Sequence, residues 1–179
     1  MAPTTPGFVR RSLDIDGSGA RPKATEGDNV PRFPLDEVRD AYENFKGVSD
    51  ACAATADYNT FVDLFTEDCT YIEHVFGEMH GREEVRGWIV PLMKAYPNDQ
   101  MVRYTHDWVL FDEENSRVVF SARTHMADPG DGSSHSATNW TMINYAGNGL
   151  FSREEDVCNP ANFGKLLEDW QAAKDRAGS

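Results

Sequence analysis

The sequence predicts an α+β fold: a strongly curved mixed or antiparallel sheet wrapped around N-terminal helices, giving a cone-shaped α+β barrel. Three observations point there. Apolar residues of the first half recur at three- and four-residue steps, as on helices. From about residue 101 the chain changes to four long runs rich in β-branched and aromatic residues. Turn signals separate those runs. Helices followed by a meander of strands is an α+β pattern, and the open mouth of a cone suits a small apolar ligand.

Residues 1–33 are rich in Pro, Gly, Thr, Ser and charge without periodicity, which reads as an N-terminal arm ahead of one domain over residues 34–175. Pro34 suits a first helical turn, and Leu35, Val38, Tyr42, Phe45, Val48 and Cys52 mark one face of an amphipathic helix. A shorter helix fits Asp57 to Phe65, capped by Asp57, with Tyr58, Phe61, Val62 and Phe65 on its inner stripe. A strand from Cys69 to Phe76 and a return around Gly77 to Gly81 follow. A third helix spans Arg82 to Tyr96, with Pro91 expected to bend it or end its regular part. Strands fit Met101 to Phe111, Arg117 to Ala127, Ser136 to Ala146 and Leu150 to Asn159. Asn159-Pro160, a cap followed by proline, opens a last helix with Phe163, Leu166, Leu167 and Trp170 inward.

A chain of 179 residues is long enough to bury a sizeable core, and 40% hydrophobic residues suffice for a globular protein. The net charge of −13 argues against nucleic-acid partners and anionic membrane surfaces. No apolar run approaches the roughly 18 residues of a membrane helix. The N-terminus has no apolar core of a secretory signal, so a cytoplasmic location is expected and the sequon at Asn139 reads as a chance match. Cys52, Cys69 and Cys158 are odd in number and lack CxxC spacing, and His74, His80 and His135 have no ligand spacing, so neither disulfide nor metal nor other cofactor is expected.

The run RVVFSARTHM, Arg117 to Met126, carries the most chemistry. On a strand Val119, Ser121, Arg123 and His125 share one face and Phe120, Ala122, Thr124 and Met126 the other. A guanidinium and an imidazole in mid-strand form an active-site wall if their face looks into a cavity. If it looks outward, they form a surface or interfacial salt bridge. Thr138 and Trp140 share a face and are expected to wall the cavity, Trp140 as an apolar plate.

The order helix, helix, strand, helix, four strands, helix resembles the nuclear transport factor 2-like fold, also called SnoaL-like, over about residues 35–173. The stretch from Glu67 to Val85, containing Glu67-Asp68, Tyr71, Gly81-Arg82 and Val85, is similar in spacing to limonene epoxide hydrolase, as are the Arg117 strand and Asp156. That resemblance implies Tyr71 as a water-holding residue, Arg123 as a bridging cation and Asp156 as general base. Glu73 stands where that enzyme has Asn, and His125 where it has an acid. His106, in THDW, resembles the active-site His of scytalone dehydratase, which would make His125 its partner.

Together the residues suggest a charge-coupled unit. Arg123 would hold Asp156 ionised while His125 donates a proton, and such transfer is typically worth roughly 10²–10⁴-fold in rate. Catalytic candidates are therefore Asp156, His125, Arg123, His106, Tyr71 and Glu73, with Trp140, Thr138, Tyr58 and Trp88 as substrate contacts. The resemblance implies an acid–base enzyme without a cofactor, of dehydratase, isomerase, cyclase or epoxide hydrolase type, acting on a small terpenoid, steroid or polyketide. It also implies a homodimer through the outer sheet face. The alternative is a non-catalytic module that binds a ligand in the cone or a partner on its surface.

Overall fold

A computed structural model describes residues 33–178. The expected arm lies outside the described residues except for Phe33, whose ring packs edge-on to Tyr145 at 5.0 Å. Gly147 lies under that ring: its φ is +90°, and a Cβ there would stand 2.9 Å from Phe33.

Four helices and six strands follow in the order α1 (Leu35–Thr55), α2 (Asn59–Val62), β1 (Phe65–Glu73), β2 (Gly77–His80), α3 (Arg82–Lys94), β3 (Met101–Asp112), β4 (Arg117–Met126), β5 (Ser136–Gly147), β6 (Leu150–Cys158) and α4 (Pro160–Ala177). The sheet order is β2-β1-β6-β5-β4-β3, antiparallel throughout except for the parallel β1–β6 pair. That parallel pair joins the first strands to the C-terminal meander, so residues 83 positions apart become neighbours: Tyr71 pairs with Glu154 and Glu73 with Asp156. Among the described residues no helix is long and apolar enough to cross a membrane.

Two elements differ from expectation. The second helix is one turn, not nine residues, and Asp57 acts just before it by accepting the Asn59 N–H at 3.2 Å. Phe65 opens β1 instead of closing that helix, because it pairs with Phe151 and is fully buried. α3 runs through Pro91 and stops at Lys94; Glu83 and Glu84 at its start and Lys94 at its end complement the helix dipole. At the far end Asn159 Oδ1 accepts the Ala161 N–H at 3.0 Å, the expected cap of α4.

The closed end of the cone is aromatic. Phe45 meets Phe61 at 5.4 Å, Phe151 at 5.4 Å and Phe120 at 5.8 Å, and Phe61 meets Phe65 at 5.3 Å, all edge-to-face. Each such fully buried side chain contributes about 1.5–3 kcal/mol. Arg82, at the start of α3, donates from Nε to the Phe65 carbonyl at 2.7 Å, tying helix to strand. A smaller cluster, Met126, Ala137, Leu166 and Trp170, seats α4 against the sheet, and Trp170 Nε1 donates to the Ala127 carbonyl at 2.7 Å. The Asn148-Gly149 turn between β5 and β6 has positive φ at both residues (56° and 75°), the hairpin geometry that Asn-Gly favours.

Candidate active site

The concave side of the sheet, α1, α3 and α4 enclose a cavity of about 360 Å³. Strand alternation decides which side chains reach it. On β5, Ala137, Asn139, Thr141, Ile143 and Tyr145 point inward. On β6 a register irregularity intervenes: Tyr145 pairs with Phe151 but Asn144 pairs with Arg153, so Ser152 is one residue extra. With strict alternation from Phe151, Arg153 and Glu155 would face inward. The bulge turns Glu154, Asp156 and Cys158 to the cavity instead.

Glu154 and Asp156 meet in the interior. Asp156 Oδ1 accepts from Asn139 Nδ2 at 3.1 Å and from the Thr141 hydroxyl, and Oδ2 accepts from the Tyr71 hydroxyl at 2.7 Å. Asn139 spends its other amide proton on Thr141 Oγ1 at 2.9 Å. A carboxylate offers about four acceptor positions, and these three donors with Glu154 beside them fill those of Asp156. Glu154 is only 3% exposed, and the Tyr71 hydroxyl, 3.0 Å from its Oε1, has a single proton that the shorter contact gives to Asp156. Burial pushes both carboxyls up, Glu154 well above the usual range and Asp156 less, because hydrogen bonds from Thr141, Tyr71 and Asn139 pull it back. The two carboxyls lie within hydrogen-bonding reach of each other once one is protonated. Unequal donor sets settle which: Glu154 holds the proton and Asp156 is the anion. Burial and these two acids keep the Tyr71 phenol neutral, its pKa raised well above 10.0.

Further groups line the same space. Tyr58, at the N-terminus of α2, donates to the Tyr104 hydroxyl at 3.0 Å, which leaves the Tyr104 proton for a bound molecule. Burial lifts Tyr104 to about 12. His106 stacks on Phe120 at 4.4 Å and shares a hydrogen bond between Nδ1 and the Tyr42 hydroxyl, 2.6 Å away. Burial and, less strongly, Lys46 lower His106 to about 4, so it is a neutral ring near pH 7. Glu73 accepts the Val75 N–H at 3.2 Å, and burial raises its carboxyl. Trp88 closes a wall, 5.4 Å from the Tyr71 ring. The structure thus brings together Asp156, Tyr71, Glu73, His106, Tyr58 and Trp88.

Four expected site residues lie elsewhere. Arg123 projects from the convex face of β4, where Nη2 and Nε bind Asp107 at 2.7 and 3.2 Å, with both side chains more than a third exposed. His125 is on that same face, its Nε2 2.8 Å from Thr105 Oγ1. Thr138 and Trp140 are also convex, and Trp140 is 61% exposed. The expected Arg123–His125–Asp156 unit is therefore absent, as are the His106–His125 pair and the Trp140 wall. The cause is burial: Val118, Phe120, Ala122, Thr124 and Met126 fill the concave side of β4, a more apolar set than the alternate one. A guanidinium facing inward would carry a desolvation cost that no partner there offsets.

Glu154, Asn139, Thr141 and Tyr104 were not anticipated as site residues. For Asn139 and Thr141 a signal existed in the alternation with Ile143 and Tyr145. For Glu154 none did, since one inserted residue reverses the parity of β6. Among the described residues no group of three His, Cys, Asp or Glu side chains is arranged to hold a metal ion.

Solved structures share this architecture. An LEH-like epoxide hydrolase from M. tuberculosis is 13% identical with a TM-score of 0.58, over 80% of this chain and 93% of its own. An NTF2-like protein from Anabaena variabilis is 16% identical with a TM-score of 0.54, over 70% of this chain and 91% of its own. A protein with a ketosteroid isomerase-like fold from Catenulispora acidiphila, in complex with trimethylamine, is 20% identical with a TM-score of 0.50, over 64% of this chain and 85% of its own. These identities speak to fold alone. A search of curated proteins finds no match. A model of the SnoaL-like domain matches residues 38–150, most of the described chain, and this shows that the chain belongs to the SnoaL-like family, with a fold like that of the nuclear transport factor 2-like structure.

Proposed function

We propose that this protein is an acid–base enzyme, needing no cofactor, that moves a proton on a small hydrophobic terpenoid, steroid or polyketide held in the cone. The observation that carries this reading is the Glu154–Asp156 pair. Two neighbouring buried carboxyls with unequal hydrogen-bond donors give one group poised to accept a proton and one poised to supply it. Tyr71 lies between them, within reach of both, so a proton gained at Asp156 can be balanced by one from Glu154. The rest of the cavity is largely apolar, suited to excluding water around a hydrophobic substrate.

Where the limonene epoxide hydrolase pattern would need a cation bridging two acids, the concave face of β4 offers Ala122 and Thr124. This favours dehydration, isomerisation or cyclisation over epoxide opening. The test uses isotopes, so that the net reaction need not be known. A panel of small apolar ketones, alcohols, epoxides and amines is incubated with the protein in D₂O and read by mass spectrometry. Wild type is expected to exchange deuterium into, or remove water from, at least one compound, and Asp156→Asn to do neither. A panel without change, or an unimpaired variant, counts against the reading.

A homodimer through the convex face belongs to the same proposal. Leu110, Trp140, Val157 and Trp108 are exposed there by 65%, 61%, 50% and 39%, an apolar patch larger than scattered surface residues make.

A further inference from the structure

The charge of the cavity is one-sided. Glu73, Glu154 and Asp156 all line it, and no lysine or arginine does among the described residues. Its histidine is neutral near pH 7. Glu154 Oε2 is buried and receives no hydrogen bond from any described residue. Buried acids are ordinarily paired or fully hydrogen-bonded, so this set lacks a cation and a donor together. The walls are suited to a cation: Tyr58, Phe61, Tyr71, Trp88, Tyr104 and Phe120 present ring surface. The net charge of −13 adds a long-range field of the same sign.

We infer that the cavity selects hydrophobic amines, taken up in the protonated form with the ammonium directed at Glu154 Oε2 and Asp156 and the hydrocarbon against the aromatic walls. This names a substrate class for the proton-transfer site and rests on that reading of the cavity. An ammonium supplies at once the missing N–H donor and the missing positive charge. A neutral alcohol supplies only the donor. A carboxylate supplies neither and adds repulsion.

Three ligands on one rigid cage separate these cases: 1-adamantylammonium, 1-adamantanol and adamantane-1-carboxylate, titrated calorimetrically into the full chain at pH 7. The ammonium is expected to bind about tenfold or more tighter than the alcohol, and the carboxylate weakest. Asp156→Asn, which removes the anion, is expected to lose most of that preference. If this variant does not fold, the ligand series on wild type decides alone. Equal binding of ammonium and alcohol, tighter binding of the carboxylate, or no binding of any of the three overturns the inference. Deuterium exchange by wild type alongside equal ligand binding would show that the charge selection fails while proton transfer stands.

Discussion

Thr141 and Asp156 are directly paired residues of β5 and β6, both on the concave face, and the Thr141 hydroxyl donates to Asp156 Oδ1. The bond favours the ionised carboxylate and works against the burial that raises its pKa. Removing it with Thr141→Val is expected to move the Asp156 titration to higher pH, read from its ¹³C carboxyl resonance. A midpoint that stays put or falls would mean that Thr141 does not hold the anion.

Glu154→Gln should stabilise the protein in neutral solution. A carboxyl whose folded pKa is raised favours folding fully only below its unfolded value, near pH 4, and that contribution is lost as pH rises toward the folded value. Gln carries no such burden and adds an N–H donor. A gain of about 1–3 kcal/mol at pH 7, shrinking toward pH 4, is expected from thermal unfolding. A loss that grows with pH would contradict a protonated Glu154.

Arg123→Ala should leave cavity binding unchanged and move the melting temperature by no more than about 2 °C, since Arg123–Asp107 is a solvent-exposed pair. Weakened binding of the adamantyl ligands in this variant would place Arg123 in communication with the cavity after all.

Trp140→Glu tests the dimer. Trp140 meets Trp108 edge-on at 5.8 Å on the convex face, and a charge at that position would disfavour a second sheet packing over it. Light scattering is expected to show a dimer for wild type and a monomer for the variant. Equal masses would remove the convex face as the contact.

The fold was legible because its signals are redundant. The i, i+3, i+4 pattern of Val38, Tyr42 and Phe45, the Asn-Gly turn and the Asn159-Pro160 cap each report one element independently. At Tyr71 family spacing and strand parity agree, whereas at Asp156 spacing alone finds the residue, because the extra Ser152 reverses the parity of β6. On β4 they conflict. Spacing assigned the Arg123 face to the cavity, whereas the greater apolarity of Phe120, Ala122 and Met126 assigns the opposite face, and burial follows apolarity. The short α2 was misjudged for a related reason. Phe65 fits a helical stripe locally, but its parallel partner Phe151 is 86 positions away and invisible to a local pattern.

The extra residue at Ser152 carries a consequence for how such a protein changes over time. Deleting it would remove the bulge and leave Phe151, Glu154 and Asp156 inside in regular alternation, whereas ironing the bulge out at unchanged length would send Glu154 and Asp156 to the surface and offer Arg153 and Glu155 in exchange. The interior acids thus depend on pairing register as much as on residue identity, and relatives one residue shorter at this spot, with a regular strand, are expected to keep the same two positions inside.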